Sequence, residues 1–359
     1  MAKRGLRFNR GRPVNGIIVV DKVYGASSNE VLQRVKRLFN AAKAGHTGSL
    51  DPLATGVLPI CLGEATKFSQ YLLDSDKSYR TTMKMGARTT TGDREGGVVA
   101  ERPVAVTRSD VEAILRQFRG DVEQVPSMYS ALKHNGRPLY EYAREGVEIE
   151  RPSRTITIHR LELLDFTGDE CVLEVDCTKG TYIRTLIEDI GEALGCLGHV
   201  AELRRLKAGP YTEHQVYSLD DLAAVRDEAR ESVLDVRERA EFAELSDLAK
   251  ELGHGKLEKV QFERLKVLSK IRNRAGDRAI DGLLLSQDSA VSDWPQVKLG
   301  KTGSYYMSQG NPVRAPQSST RGNVRIYGVA EDDAEGEVFL GVGEITDDGL
   351  VAPKRLVKG

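Results

Sequence analysis

The first part of the chain alternates between strand-like and helix-like patterns of apolar residues. Residues 17–20 are all apolar, and a short run of this kind predicts a buried strand. Ser27-Ser28-Asn29 then offers a helix N-cap. Apolar residues follow the cap at helical spacing: Val31, Leu32, Val35, Leu38 and Phe39. Polar and apolar residues alternate over 78–85, which predicts a second strand.

The middle of the chain shows both patterns again, in an irregular order. Thr107 and Asp110 are spaced as in a capping box, and the helix behind them is expected to end at Gly120. Residues 171–177 predict another strand, and a helix is predicted over 183–194. Since strands and helices do not alternate strictly, the predicted fold class is α+β rather than a doubly wound α/β sheet.

Charge separates residues 227–282 from the rest of the chain. Residues 227–251 contain nine acids and four bases, whereas residues 264–278 contain six bases and one acid. Apolar residues at helical spacing predict one amphipathic helix in each half, with a break at Gly253-His254-Gly255. We therefore expect a charged helical hairpin, inserted into the surrounding domain, in which His254 is a loop residue.

Short strand patterns replace the helical ones after about Leu283. Strands are predicted at 324–327 and 338–342, and Asp347-Asp348-Gly349 is typical of a hairpin turn. We expect a small β domain over residues 285–359, which follows a larger domain over residues 14–284.

The composition indicates a sizeable core and no membrane span. Hydrophobic residues make up 40% of the 359 residues. No run reaches the roughly 20 apolar residues that a span requires. The N-terminal residues are basic with no apolar core behind them, which predicts a basic tail over 1–13 and not a signal peptide. The four cysteines show no C-x-x-C spacing, so buried free thiols and a reducing cytoplasm are expected.

The net charge of −1 hides an uneven distribution of charge. Residues 1–12 hold five bases and no acid, and so do residues 298–325. A disordered tail and a solvated loop would also give this pattern. Because the two basic stretches flank an enzyme-like core, an RNA partner is favoured.

The strongest chemical signal is the segment 45–56, Gly-His-Thr-Gly-Ser-Leu-Asp-Pro-Leu-Ala-Thr-Gly. Its glycines free the backbone, and Pro52 restricts the conformation of Asp51, the one carboxylate of the segment. A loop that holds a single acid between glycines predicts a nucleophile or base in an active site. The alternative is that Asp51 caps the local backbone of a turn.

This segment resembles the catalytic motif of the TruB family of bacterial tRNA pseudouridine synthases. Four more segments carry the same resemblance: residues 71–80 (YLLDSDKSYR), 126–133 (PSMYSALK), 179–184 (KGTYIR) and 203–206 (LRRL). The resemblance covers roughly residues 14–222 and 283–357. Val23 departs from it, because the family usually has proline after the Asp21-Lys22 pair, and we expect this change to have little effect on activity.

The resemblance implies a fold, an activity and a partner. The implied fold is a mixed, largely antiparallel sheet flanked by helices, with a PUA-type β-barrel over 285–359 that binds RNA. Residues 127–152, which mix tyrosines with bases, are expected to form an RNA-gripping loop. The implied activity is isomerisation of a uridine in the T-loop of tRNA to pseudouridine, without a metal or an organic cofactor. The expected partner is the tRNA T-arm, with no membrane and no obligate protein partner, and the enzyme is expected to be a cytoplasmic monomer.

The resemblance also assigns roles to residues. Asp51 would form a transient covalent link, either to the uracil ring or to the sugar. Arg184 would be its counter-charge, and Tyr79 would stack on the uracil. His46 would fill the stack that the flipped uridine leaves. The expected substrate-binding residues, which replace the flipped base, line the pocket or contact phosphates, are His46, Tyr182, Leu203, Lys67, Lys133, Arg204 and Arg205.

Two other functions compete with this assignment. One is an RNA-binding tRNA folding factor whose catalysis is incidental, which would keep its effect in an Asp51→Asn variant. The other is a carboxylate-dependent glycosidase. Such enzymes use two carboxylates about 5 to 10 Å apart, whereas the glycine-rich segment offers one.

Overall fold

The structure is a computed structural model that describes residues 11–253, 257–314, 321–329 and 336–358. Most of the predicted basic tail and the predicted loop residue His254 therefore lie outside the described residues. No helix in the described ranges is long and apolar enough to span a membrane.

The described residues form these strands: β1 Gly16–Lys22, β2 Ala44–His46, β3 Thr55–Leu62, β4 Lys77–Met85, β5 Ala87–Thr89, β6 Val98–Glu101, β7 Gly120–Gln124, β8 Lys133–His134, β9 Arg137–Pro138, β10 Arg154–Phe166, β11 Glu170–Cys177, β12 Gly198–Ala208, β13 Tyr211–Thr212, β14 Gln296–Lys298, β15 Val313–Arg314, β16 Gly322–Val329, β17 Glu337–Ile345 and β18 Leu350–Leu356. The α-helices are α1 Ser28–Leu38, α2 Ser69–Leu73, α3 Arg108–Leu115, α4 Leu139–Arg144, α5 Ile183–Ala193, α6 Leu219–Ser232, α7 Val236–Leu252, α8 Lys259–Asp281 and α9 Lys301–Ser308.

A mixed sheet dominates the larger domain, in the order β1-β3-β12-β4-β11-β10-β7, with β2 paired to β3 and β13 to β12. Its pairings are antiparallel except for the parallel contact between β12 and β3. Helices α3 and α5 cover one part of the sheet, where Leu115, Ile187 and Ile190 pack against Met83 and Leu173. The α+β class and the mixed, largely antiparallel sheet are confirmed.

The local signals of the N-terminal half fold as predicted. The side chain of Ser27 caps α1, and Glu30 completes a capping box with it. Thr107 and Asp110 form the predicted box at the start of α3. Each box satisfies two backbone N–H groups that lack helical partners, which fixes where the helix begins.

The predicted insertion consists of helices α7 and α8, but its predicted start at residue 227 lies inside α6. Helix α6 packs against both α1 and α8. Leu222 of α6 and Ile280 of α8 belong to the same buried cluster as Val20 and Val35. The end of α8 is therefore packed, together with α6, into the hydrophobic core of the larger domain rather than joined to it by a flexible linker.

The C-terminal residues form a five-stranded sheet in the order β14-β16-β17-β18-β15. The predicted hairpin turn joins β17 to β18, where Gly349 has a φ of 77° and its N–H donates to the carbonyl of Thr346. The segment before this sheet packs on the larger domain, since Ala290 and Val291 share a buried cluster with Ile17 of β1. The predicted boundary at 284/285 thus falls before a segment that completes the core of the larger domain.

Candidate active site

The segment that carries Asp51 connects β2 to β3 and is held from both sides by buried polar side chains. The hydroxyl of Ser28, which is 4% exposed, donates to the carbonyl of Leu50 at 3.1 Å and accepts the N–H of Leu50 at 2.8 Å. On the other side of Asp51, the fully buried ammonium of Lys22 donates to the carbonyls of Pro52 at 3.1 Å and Ala54 at 2.5 Å. The backbone around Asp51 is therefore anchored to β1 and to the first turn of α1.

Asp51 forms an ion pair with Arg184, whose Nε lies 2.9 Å from Oδ2 of Asp51. The Asp51 side chain is 42% exposed, whereas that of Arg184 is 5% exposed. The other nitrogens of the guanidinium donate to the carbonyls of Thr91 at 2.8 Å and Tyr129 at 2.7 Å. Arg184 thus forms the predicted ion pair with Asp51, through one contact of 2.9 Å. One nitrogen contacts the carboxylate because backbone carbonyls occupy the others.

Opposing influences act on the acidity of Asp51. Burial raises the pKa of the Asp51 carboxyl above its ordinary value, and the nearby carboxylate of Asp93 acts in the same direction. The positive charges of Arg184 and Lys22 oppose this rise in pKa. Asp93 is itself 4% exposed and lies 3.7 Å from Nη1 of Arg184. The site therefore holds two carboxylates around one guanidinium, of which Asp51 faces the solvent.

Asp51 opens into a cleft of about 390 Å³ between the sheet, the start of α5 and the segment 130–132. Tyr79 of β4 and Leu203 of β12 line the cleft with it, as does Tyr182, the residue that precedes α5. The backbone of Tyr182 is held at both ends by the side-chain amide of Gln124, which is 1% exposed. Residues from four separate parts of the chain thus meet in one cleft, and they include all three predicted catalytic residues.

Arg204 and Arg205, both expected to bind the substrate, lie on opposite faces of the sheet. Successive residues of a strand point to opposite faces of the sheet. Arg204 pairs with Asp21 on one face, whereas Arg205 is 1% exposed and lines the cleft on the other. Its guanidinium donates to the carbonyls of Val57 at 2.7 Å and Gly48 at 3.3 Å. Arg205 therefore supports the Asp51 segment from below, and a buried guanidinium of this kind is not available to a phosphate on the surface.

The remaining predicted binding residues lie around the cleft or away from it. His46 ends β2 and is half-buried, and burial together with the charge of Arg205 lowers its pKa. Lys133 is exposed on the β8–β9 hairpin, within the predicted gripping segment. Lys67 pairs with Glu64 at 2.5 Å and donates to the carbonyl of Leu356 in β18 at 2.8 Å. Lys67 thus joins the two domains, and a phosphate contact by it or by Lys133 stays a prediction.

Four residues that shape the site were not predicted from the sequence: Lys22, Ser28, Lys77 and Asp93. Lys77 is 7% exposed and donates to the carbonyls of Leu72 and Leu73 at the end of α2. Burial lowers the pKa of Lys77 to about 8, and it does the same to that of Lys22. A lysine next to a strand pattern was the available signal for Lys22 and Lys77, but it does not distinguish a buried lysine from an exposed one.

Comparisons with known proteins agree with this geometry. A model of the N-terminal domain of the TruB family of pseudouridylate synthases matches residues 36–183. Models of the tRNA pseudouridylate synthase B C-terminal domain and of the pseudouridine synthase II TruB C-terminal region match residues 184–239 and 295–357. A relative from Pseudomonas fluorescens is 48% identical over 347 residues, which cover 97% of each chain. One from Tolumonas auensis is 49% identical over 355 residues, which cover 99% of this chain and 95% of the relative. Both relatives are named tRNA pseudouridine synthase B.

The chain belongs to the TruB family. As a member it is a pseudouridine synthase, an isomerase that acts on RNA, and the predicted family and enzyme class are confirmed. The C-terminal sheet corresponds to the TruB C-terminal region, so the PUA-like assignment of this sheet is also confirmed.

Solved structures agree with the TruB fold. A chain from a structure of an H/ACA RNP bound to a substrate RNA containing 2'-deoxyuridine is 22% identical to this one, with a TM-score of 0.61 over 99% of this chain and 92% of that chain. A chain from a Cbf5-Nop10-Gar1 complex is 25% identical, with a TM-score of 0.59 over 92% of this chain and 78% of that chain. These likenesses extend over both the catalytic domain and the C-terminal sheet.

Proposed function

We propose that this enzyme converts a uridine in the T-loop of tRNA to pseudouridine, with Asp51 as the nucleophile. The observation that carries the proposal is the placement of Asp51, a 42% exposed carboxylate fixed by a nearly buried arginine at 2.9 Å. The choice of tRNA is supported by relatives that are 48% and 49% identical and carry tRNA in their names.

The number of carboxylates in the cleft supports an isomerase over a glycosidase. Among the described residues that line the cleft, Asp51 is the one acid. Hydrolysis of a glycosidic bond generally needs a second carboxyl group as acid or base. Pseudouridine formation instead breaks the N-glycosidic bond and joins the same uracil to the same sugar through carbon, so that no water is consumed.

The walls of the cleft fit a uracil that has been turned out of its stack. Tyr79 offers an aromatic face, and Leu203 and Tyr182 give the cleft an apolar rim. Burial raises the pKa of the Tyr79 phenol, so this group keeps its proton at neutral pH and can donate it in a hydrogen bond. Flipping costs a few kcal/mol, which stacking and edge contacts in the pocket can offset.

His46 is proposed to take the place of the flipped base. Its ring is half-buried at the end of β2, and its Nδ1 has no hydrogen-bond partner among the described residues. Because its pKa is lowered, the ring is neutral at pH 7 and can stack as an uncharged aromatic. Residues 127–152 are proposed to grip the RNA, since Ser130 and Leu132 already form one wall of the cleft.

The test is an Asp51→Asn variant, with Asp169→Asn as the matched control. Asp169 is an exposed carboxylate that pairs with Lys84 at 2.6 Å, outside the cleft. Pseudouridine would be mapped in tRNA transcripts treated with each protein. We expect the control to match the wild type and Asp51→Asn to form no product while its affinity for tRNA changes by less than about tenfold, because a nucleophile acts mainly in the transition state.

Two outcomes would contradict the proposal. Product at another position of tRNA would exclude the T-loop, and substantial turnover by Asp51→Asn would exclude this nucleophile. If Asp51→Asn still promoted tRNA folding as the wild type does, the folding activity would be separate from catalysis in the same protein.

A further inference from the structure

The hairpin of α7 and α8 lies largely outside the parts of the chain that the family models match. The matched regions end at residue 239 and resume at residue 295. The intervening residues contain most of α7 and all of α8. Nothing in the family assignment therefore explains what this hairpin does.

A groove of about 640 Å³ runs between the two helices of the hairpin. Its floor is apolar and consists of Ala249, Phe262 and Leu265. Its rim carries four cations: Lys250, Lys266, Lys270 and Arg274. Neutral hydrogen-bonding groups stand between them: Ser246, Ser269 and Asn273. We call this feature the α7–α8 groove.

The α7–α8 groove carries a net positive charge, with four cations and one acid among its lining residues. The only acid among its described lining residues is Asp277, which lies 3.4 Å from Nε of Arg12 and is thereby neutralised. Lys250 pairs with Asp247 at 2.9 Å, and Lys266 lies 3.7 Å from Glu263. Lys270 and Arg274 are exposed and have no ion pair with any described residue. Unpaired cations so close together repel one another, and a bound anion would relieve that repulsion.

Two arginines of α8 outside the groove pair with acids on neighbouring helices. Arg264 of α8 forms ion pairs with Glu238 at 3.5 Å and Glu241 at 2.9 Å, both on α7. Arg272 pairs with Glu231 of α6. Ion pairs thus neutralise these arginines across the helix contacts, whereas Lys270 and Arg274 in the groove have no ion pair with any described residue.

Three cations of α8 are spaced evenly, as contacts to successive phosphates of an RNA strand would require. Lys266, Lys270 and Arg274 follow one another at intervals of four residues, so they lie on one face of the helix. A rise of about 1.5 Å per residue places successive cations about 6 Å apart along the axis. The partly exposed ring of Phe262, at 38% exposure, lies beside this row and offers a surface for stacking.

We propose that the α7–α8 groove binds the sugar-phosphate backbone of the tRNA substrate. The contacted nucleotides would lie outside the T-arm of the tRNA, whose loop enters the Asp51 cleft. A row of cations with neutral donors and an aromatic ring suits phosphates, riboses and an unpaired base. No residue that lines the groove lines the cleft, so the two sites contact different parts of the RNA. The inference rests on the proposed function, because that function supplies tRNA as the ligand.

The test compares two triple variants that remove the same charge. The groove variant is Lys266→Gln, Lys270→Gln and Arg274→Gln. The control is Arg237→Gln, Arg239→Gln and Lys259→Gln, which are exposed hairpin residues outside the groove. Glutamine has a helix propensity close to those of lysine and arginine, so both variants should fold. Equal thermal unfolding midpoints would check this.

Affinity would be measured for a full tRNA transcript and for an isolated T-arm hairpin, at several salt concentrations. We expect the groove variant to bind full tRNA about tenfold or more weakly at roughly 0.1 M salt. Its plot of log affinity against log salt should be flatter by about 2, since each lost phosphate contact removes roughly 0.7 to 0.9 from the slope. The control should change full-tRNA affinity by less than about threefold, and the T-arm hairpin should bind all three proteins equally.

Several results would overturn the inference. Equal losses in the two variants would show a general charge effect. An equal loss with the T-arm hairpin would place the contact inside the T-arm. A shift in oligomeric state confined to the groove variant, seen by sedimentation, would make the groove a protein interface. Failure of the proposed function would look different, because wild-type protein would then leave the T-loop uridine unmodified whatever the groove binds.

Discussion

At the scale of single residues, the site depends on how Arg184 divides its hydrogen bonds. The guanidinium holds Asp51 through Nε, and its remaining nitrogens reach Thr91 and Tyr129. Tyr129 belongs to the predicted gripping segment, so one side chain joins the proposed nucleophile to that segment. The single carboxylate contact follows from this division and could not be predicted from a sequence motif that names Arg184 alone.

Replacing Arg184 by lysine should impair turnover severely although the charge is kept. A flexible ammonium cannot reproduce the planar arrangement in which three groups are bonded in fixed directions. We expect the single-turnover rate at saturating tRNA to fall by about 100-fold or more. Arg88→Lys is the control, because Arg88 is an exposed arginine that pairs with Glu192 at 2.7 Å. Near-normal turnover by Arg184→Lys would remove this side chain from the catalytic machinery.

The acidity of Asp51 gives a second prediction at this scale. Because burial raises its pKa, the acid limb of the single-turnover rate should lie above 3.8, the ordinary value for aspartate. Asp93→Asn should move that limb to lower pH, since the charge of Asp93 raises the pKa of Asp51. Arg184→Gln should move the limb to higher pH, since the charge of Arg184 lowers that pKa. Shifts in the reverse directions, measured on residual rates, would contradict the electrostatic account.

At the scale of elements, the predicted elements have a regular period, whereas several of the missed strands have an interrupted pattern. The predicted β1, β4, β11, α1, α3 and α5 are all present. Strand β3 was missed because it contains Gly56 and Pro59, residues that usually argue against a strand. Gly56 has a φ of 99° and lies against the backbone of Arg205, where a side chain would collide. This contact is between β3 and β12, which are far apart in the chain, so no local pattern reports it.

Strands β10 and β12 were missed for a related reason. Each has two register shifts against a neighbouring strand, at Ile158/Arg160 and Leu163/Asp165 in β10 and at Val200/Glu202 and Arg205/Lys207 in β12. A bulge changes which face the next residue occupies, so the alternation of polar and apolar positions is lost. The candidate site was predicted better than these strands because its resemblance to a family rests on motifs rather than on periodicity.

The anchoring of the Asp51 segment to α1 gives a prediction at this scale. Ser28→Ala removes both hydrogen bonds to Leu50, and we expect the single-turnover rate to fall roughly tenfold while the affinity for tRNA stays near that of the wild type. Ser27→Ala is the matched control, since Ser27 caps the same helix without touching the segment. It should lower the free energy of unfolding by about 1 kcal/mol without a comparable loss of rate.

These two variants separate positioning from stability. Ser28→Thr, which keeps the hydroxyl, should recover part of the rate that Ser28→Ala loses. Equal rates in Ser27→Ala and Ser28→Ala, at equal stability, would show that Ser28 merely supports the fold.

At the scale of the whole molecule, the two domains share a hydrophobic core. Phe68 of the larger domain packs against Phe339 of β17 at 5.4 Å, and Tyr71 packs against Trp294 at 4.8 Å. Leu285 exchanges two backbone hydrogen bonds with Ile17 of β1, at 2.9 and 2.8 Å. The strand patterns of the C-terminal residues predicted a β domain correctly. They could not show that its first ten residues complete the other domain, because burial against β1 is a contact between distant parts of the chain.

This arrangement predicts different outcomes for two truncations. A chain that ends at residue 284 loses Leu285, Ala290 and Val291, and with them a buried surface over β1, so we expect it to unfold at a clearly lower temperature or to aggregate. A chain that ends at residue 294 keeps that surface and should fold, although Phe68 becomes more exposed. The folded chain that ends at residue 294 should bind tRNA more weakly and with a flatter salt dependence, since it lacks a basic stretch. Its single-turnover rate at saturating tRNA should stay within about tenfold of the wild type, because Asp51, Tyr79 and Arg184 are positioned by the larger domain.

Circular dichroism, thermal unfolding and tRNA affinity at several salt concentrations would check both variants. Binding as tight as that of the full chain, with an unchanged salt slope, would show that the C-terminal sheet does not contact the RNA.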